Sequence, residues 1–173
     1  MSVIITLEII SLSHKINLPM IAQFEDLNQE ELELMYSLPI YVSVMIAGAD
    51  GKIDGTEIKK AVSIAGLKKK KARKDLLEYY NHVNRDYEDK IKMAIANLPS
   101  GQKEREKILI EELEKSNAVF AKMETVFAVK LYASLLETAK HIAEASGGVF
   151  GYMSVGYEES RLIDLKMIKN PAK

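Results

Sequence analysis

The chain is predicted to be all-α, and three observations carry that prediction. From Asn28 onward apolar residues recur at helical spacing almost without interruption. No stretch alternates with period two for long enough to build a sheet. The interruptions carry the residue types that start and stop helices. Over 173 residues, hydrophobics make up 47% and charged residues 28%, the balance of one ordinary globular core. The expectation is a compact bundle of about seven helices over residues 25–173, preceded by a loosely attached N-terminal arm over 1–24.

The elements follow in order. The opening MSVIITLEIISLSHKINLPM is apolar, yet it lacks a positive leading region and has Glu8 inside the would-be hydrophobic stretch, so it does not read as a signal peptide. Asn28-Gln29-Glu30-Glu31 has capping-box spacing and should start a helix. Pro39 has no N–H and its ring collides with the preceding turn, which predicts a break near Ser37. A new helix over 39–49, apolar on all faces and therefore buried, should follow. The longest apolar stretch, 38–49, has 12 residues, against roughly 20 needed to cross a bilayer.

Asp54-Gly55-Thr56-Glu57 is a second capping box, and Gly66 is expected to close the helix it opens. The next helix should begin at the basic run that follows and carry Ala72, Leu76, Tyr80 and Val83 on one face. Asp86 opens another, which Leu98-Pro99 closes, and Ser100 caps the one after. Residues 117–145 read as the central helix. Phe120, Met123, Phe127, Leu131, Leu135 and Ala139 face one way, Val126 and others widen the apolar surface, and Lys130, Ser134, Glu137, His141 and Glu144 form a polar stripe. After a glycine-rich loop, a short closing helix carries Leu162, Leu165 and Ile168.

Composition excludes several kinds of function. Lys+Arg at 24 against Asp+Glu at 25 gives a net charge of -1, so binding to nucleic acid by bulk charge is ruled out. With no cysteine there are no disulfides, thiolate zinc sites, iron-sulfur clusters or cysteine nucleophiles, and a cytoplasmic location is the default. There is no Gly-x-Ser-x-Gly, no metal-hydrolase His pair and no P-loop. No enzymatic reaction, small-molecule substrate or obligatory cofactor is expected.

One loop carries a motif. Ile46-Ala47-Gly48-Ala49-Asp50-Gly51-Lys52-Ile53-Asp54-Gly55-Thr56-Glu57 leaves a buried helix, turns, and starts another. In the register of an EF-hand loop, Asp50 falls at position 5, Gly51 at the sharp turn, Lys52 at the carbonyl ligand, Ile53 at apolar position 8, Asp54 at 9 and Glu57 at the bidentate position 12. Positions 1 and 3 are Ile46 and Gly48, which carry no side-chain oxygen. A calcium ion, held by Asp50, Asp54, Glu57, the Lys52 carbonyl and waters, would therefore be bound weakly. The same residues also suit a purely structural corner, with Asp50-Gly51 as a turn, Asp54 and Glu57 as helix caps, and Ile53 as a hydrophobic staple.

This run, leaving an apolar helix in an all-α chain of this size, resembles the TerB-like (tellurite-resistance) family. The resemblance implies a bundle of about seven helices with a pseudo-repeated helix-loop-helix corner, divalent-cation binding near the acidic loop, and partnership with membrane-associated stress-response complexes. It attaches no reaction. The second corner, 142–159, departs from the pattern: the Asp-Gly pair is missing, and Gly147, Gly148, Gly151 and Gly156 with Phe150, Tyr152 and Tyr157 make a longer loop. That loop reads either as a flexible cover or as a partner-binding surface.

Lys68-Lys69-Lys70-Lys71-Ala72-Arg73-Lys74 places six basic residues in seven. At a helix start they would oppose the macrodipole by roughly 0.3–1 kcal/mol each unless solvated or met by an anion. Glu137, His141 and Glu144, like His82 beside Glu78 and Asp86, suit a metal by spacing but fit a solvent-facing edge equally. The overall expectation is a non-enzymatic TerB-like interaction module in a bacterial stress or tellurite-resistance-type response, taking a divalent cation at 50–57. The alternative is a peripheral adaptor that docks through 68–74 on anionic membrane, at the inner face, or on an acidic partner.

Overall fold

Asn28 starts the first helix in the way its spacing predicts. Its side chain accepts from the Glu31 amide at 3.0 Å, and the Glu31 carboxylate accepts from the Asn28 amide at 3.1 Å, so two otherwise unpaired donors satisfy each other. The computed structural model describes residues 20–49, 53, 55–71, 74–146 and 162–173. Among them the chain forms α1 (Gln29–Ala47), α2 (Gly55–Lys71), α3 (Lys74–Val83), α4 (Tyr87–Asn97), α5 (Gln102–Phe120) and α6 (Thr125–Ser146), with a single 3-10 turn at Ala22–Phe24 and no strand. The protein is an all-α bundle.

α1 is the central element and packs against all five other helices. Every residue from Leu38 to Ala47 is buried, so the all-round apolar pattern has its expected consequence. The predicted break at Ser37 does not occur: α1 runs straight through Pro39. Pro39 offers no amide to the Met35 carbonyl one turn earlier, and the Tyr79 hydroxyl of α3 donates to that carbonyl instead, at 2.7 Å. The Tyr87 hydroxyl of α4 donates to the Pro39 carbonyl at 3.1 Å and lies 2.8 Å from Ser43 Oγ. Its one hydrogen being committed to Pro39, it accepts from Ser43. Two tyrosines from distant helices thus support the proline that local rules place at a helix end.

Tyr79 also belongs to an aromatic cluster. Tyr79 stacks on Tyr36 with centroids 5.7 Å apart, and Phe24 meets Tyr36, Tyr79 and Phe127 edge-on. Phe24 and Ile21 are buried, so the core extends into the stretch expected to be an arm.

Gly66 does not end α2, which continues to Lys71. The basic run therefore mostly ends a helix, and only its last member, Lys74, opens the next one. Lys68, Lys69, Lys70 and Lys71 form the last turn of α2, where cations favour the macrodipole rather than oppose it.

α4 opens after Asp86 and closes at Leu98 as predicted, although Asp86 is left-handed, φ 53°, and makes no side-chain cap bond. Two later boundaries differ from expectation. Gly101, not Ser100, holds the N-cap position of α5, again without a side-chain cap. The expected central helix over 117–145 is two helices, because the Glu124 carboxylate accepts from the amides of Val126 and Phe127, both at 3.0 Å, and starts α6 afresh. The predicted stripe from Phe120 to Ala139 is nonetheless entirely buried, while Val126 is 54% exposed. Among the described residues of the closing segment, Leu162 and Ile163 are helical and the chain then continues in turns. Leu162, Leu165 and Ile168 are buried as predicted, and Asn117 of α5 clamps the segment by donating to the Met167 carbonyl and accepting from the Lys169 amide.

Candidate functional site

The acidic corner lies between α1 and α2, and its first residues are tied down from α5. The Arg105 guanidinium is buried and donates to the Gly48 carbonyl at 3.2 Å and to the Ser100 carbonyl at 3.3 Å. Gln102 Nε2 donates to the Ala49 carbonyl at 2.5 Å. The Gly48 and Ala49 amides close α1 on the carbonyls of Val44 and Ile46. Ile53 lies over Gly48 so closely that a Cβ at residue 48 would stand 2.9 Å from Ile53 Cδ1 and Cγ1. Glycine is required there by contact, not by backbone angle.

Ile46, at the first position of the EF-hand register, is buried within α1 and apolar, and Gly48 offers only a carbonyl that Arg105 already occupies. Asp50, Gly51, Lys52 and Asp54 lie outside the described residues. Glu57 is the third residue of α2, and the backbone alone is described for it. Lys68 to Lys71 and Lys74 are likewise backbone positions, in the last turn of α2 and at the start of α3. Arg73 and the loop residues Phe150, Tyr152 and Tyr157 lie outside the described residues, as does most of the second corner.

Among the described residues no three His, Cys, Asp or Glu side chains come together as a metal-holding group. Glu137, His141 and Glu144 lie on the exposed edge of α6. His82 packs edge-on against Tyr36 with centroids 5.5 Å apart, and burial, helped by Arg85, holds its pKa below the ordinary imidazole value. Ser134 is the buried member of the polar stripe, and its hydroxyl lies 2.5 Å from the Tyr80 hydroxyl.

The tyrosines are the groups most altered by folding. Burial pushes the phenols of Tyr36, Tyr41 and Tyr80 up to about 12, and raises those of Tyr79 and Tyr87 as well. Their hydroxyls therefore stay protonated donors at ordinary pH, which is the form Met35 and Pro39 need.

Arg105 and Gln102 were not singled out by the sequence, since they sit in the polar-looking run Gln102-Lys103-Glu104-Arg105-Glu106-Lys107. A signal was present. Leu109 and Leu113 are buried, and stepping back by four from them places residue 105 on the core face of α5. An arginine at a core position must find buried acceptors, and here they are carbonyls at the corner and at the α5 start.

No described helix is long and apolar enough to cross a membrane. Set against known proteins, the chain matches no family model, no curated protein and no solved structure.

Proposed function

We propose that the chain is a non-enzymatic interaction module of the TerB-like kind, serving a stress-response assembly, with a divalent cation held weakly at the acidic corner 50–57. The observation that supports this reading is the frame of the corner. α1 ends at Ala47 and α2 begins at Gly55, and the first two carbonyls between them are fixed from α5. With those two oxygens already engaged, the ligands are Asp50, Asp54, Glu57 and the Lys52 carbonyl, short of the six to eight oxygens calcium prefers, so waters complete the shell. The Arg105 guanidinium at the edge of the corner adds a repulsive charge and weakens the site further.

Calorimetric titration of calcium into chelator-treated protein tests the cation. A dissociation constant of about 10⁻⁴ M or weaker is expected, lowered in affinity by Asp50→Ala and by Glu57→Ala. Absence of heat at millimolar calcium, or unchanged binding in both variants, removes the cation and leaves the corner purely structural.

A further inference from the structure

The segment 162–173 is held like a bound peptide. Leu162, Leu165 and Ile168 are buried, Leu165 completely, and share one core with the helices. The segment's backbone bonds close on themselves in short turns: the Leu165 amide donates to the Leu162 carbonyl at 3.2 Å, Ile168 to Leu165 at 2.9 Å and Lys173 to Asn170 at 3.1 Å. Among the described residues, hydrogen bonds from the bundle reach the segment at one side chain. That side chain is Asn117 of α5, whose carboxamide donates to the Met167 carbonyl at 2.9 Å and accepts from the Lys169 amide at 2.7 Å. A carboxamide paired with a carbonyl and an amide two residues apart reads backbone, while the apolar anchors supply the selection, which is how a groove binds a peptide. Leu165 has a φ of 48°, in the left-handed region that leucine rarely adopts. Such an angle persists where the surroundings impose it, so the seat shapes the segment rather than the reverse.

We infer that this seat accepts the segment 162–173 of a second copy of the chain in place of its own. None of the bonds that hold the segment requires it to belong to the same molecule, and a second copy carries the same three anchors at the same spacing. Residues 147–161 join the segment to α6. A tether of 15 residues extends to about 50 Å, more than the roughly 40 Å across a domain of this size, so it is long enough to reach a neighbouring bundle. With a net charge of -1, two copies do not hold each other apart. The tether still favours the chain's own segment, at an effective concentration of about a millimolar. Exchange therefore needs copies at a similar concentration, in chains that have not yet seated their own segment. The proposal goes beyond the cation at 50–57 and stands whether or not that cation binds.

Refolding the full chain from urea tests it. At about 10 µM the product should be monomeric by light scattering, whereas at about 1 mM a dimer should form. A severalfold excess of a synthetic peptide of residues 162–173 should fill the seats, stay bound through gel filtration and suppress that dimer. The same peptide carrying Leu165→Asp should do neither, since an unpaired carboxylate is strongly disfavoured in an apolar seat. Placed in the full chain, Leu165→Asp vacates the seat, so the original peptide should half-saturate it at a concentration roughly tenfold lower than in the unaltered chain. Adding Asn117→Ala, which removes two backbone bonds, should raise that concentration again roughly tenfold. Asp50→Ala should leave the dimer yield unchanged, which separates this test from that of the corner. A monomer at both concentrations overturns the proposal. So does a dimer that both peptides suppress equally or that neither suppresses, which would place the contact on another surface.

Discussion

Replacing Tyr79 by phenylalanine removes one oxygen and keeps the ring, so its stacking on Tyr36 and its edge contacts with Phe24 and Tyr80 survive. What is lost is the 2.7 Å bond to the Met35 carbonyl, an acceptor that has no helical amide to turn to because residue 39 is proline. Both Met35 and Tyr79 are fully buried, so water cannot substitute. A buried carbonyl left unpaired costs about 1–3 kcal/mol, which in a domain of this size lowers the thermal midpoint by roughly 2–12 °C. The decisive measurement is the double-mutant cycle with Pro39→Ala, followed by urea denaturation. Alanine at 39 restores the amide one turn after Met35, so Tyr79→Phe in that background should cost under about 1 kcal/mol, a coupling of about 1–2 kcal/mol. An equal cost in both backgrounds would show that the hydroxyl does not serve the carbonyl that proline orphans.

Three further predictions follow from the bundle. Gly66→Ala should stabilise the protein by about 0.5–1 kcal/mol, since Gly66 lies inside α2 with no atom within 4 Å of an added Cβ; destabilisation in a urea melt would mean that the helix ends there after all. Arg105→Met should cost about 1.5–3 kcal/mol by leaving the Gly48 and Ser100 carbonyls without their charged donor, and a urea midpoint unmoved within error would contradict the anchoring role. Phenol pKa values raised above 10 in the folded state mean that folded protein holds more protons than unfolded protein above that pH. The stability they contribute is complete below about pH 10 and is lost as pH rises toward 12, so tyrosinate absorbance from the buried set should appear together with loss of helical circular dichroism. Tyrosinate from these residues at pH 10 with helix intact would contradict their burial.

What the sequence conveyed well was local. The capping box at Asn28 and the start of α2 after Asp54 need only a few neighbouring residues, and the structure has both helices beginning there. The fold class, the burial of 38–47 and the stripe from Phe120 to Ala139 follow from periodicity, which a packed core enforces. The misjudged boundaries depend on partners far along the chain or on competing caps. Pro39 stays helical because of a hydroxyl 44 residues beyond Met35. Gly66 reads like a helix end because glycine often is one, yet an exposed interior glycine costs a helix only about 1 kcal/mol. The split at Glu124 was hidden by an apolar stripe that continues across it. At the corner, the acidic residues were visible but Arg105 and Gln102 were not, because a buried arginine announces itself only through the register of the leucines after it.

The all-round burial of α1 has a consequence for how the chain emerges from the ribosome. α1 is complete at Ala47, yet α6, one of the helices that cover it, ends at Ser146. At translation speeds of about 5–20 residues per second, an apolar segment with no water-compatible face waits roughly 5–20 s for its cover. During that interval it has only the helices already made, α2 to α5 in turn, to shelter against, and its exposed surface is what a chaperone or another nascent chain would meet first. The helix that holds the finished bundle together is thus the segment most in need of protection while the bundle is being made.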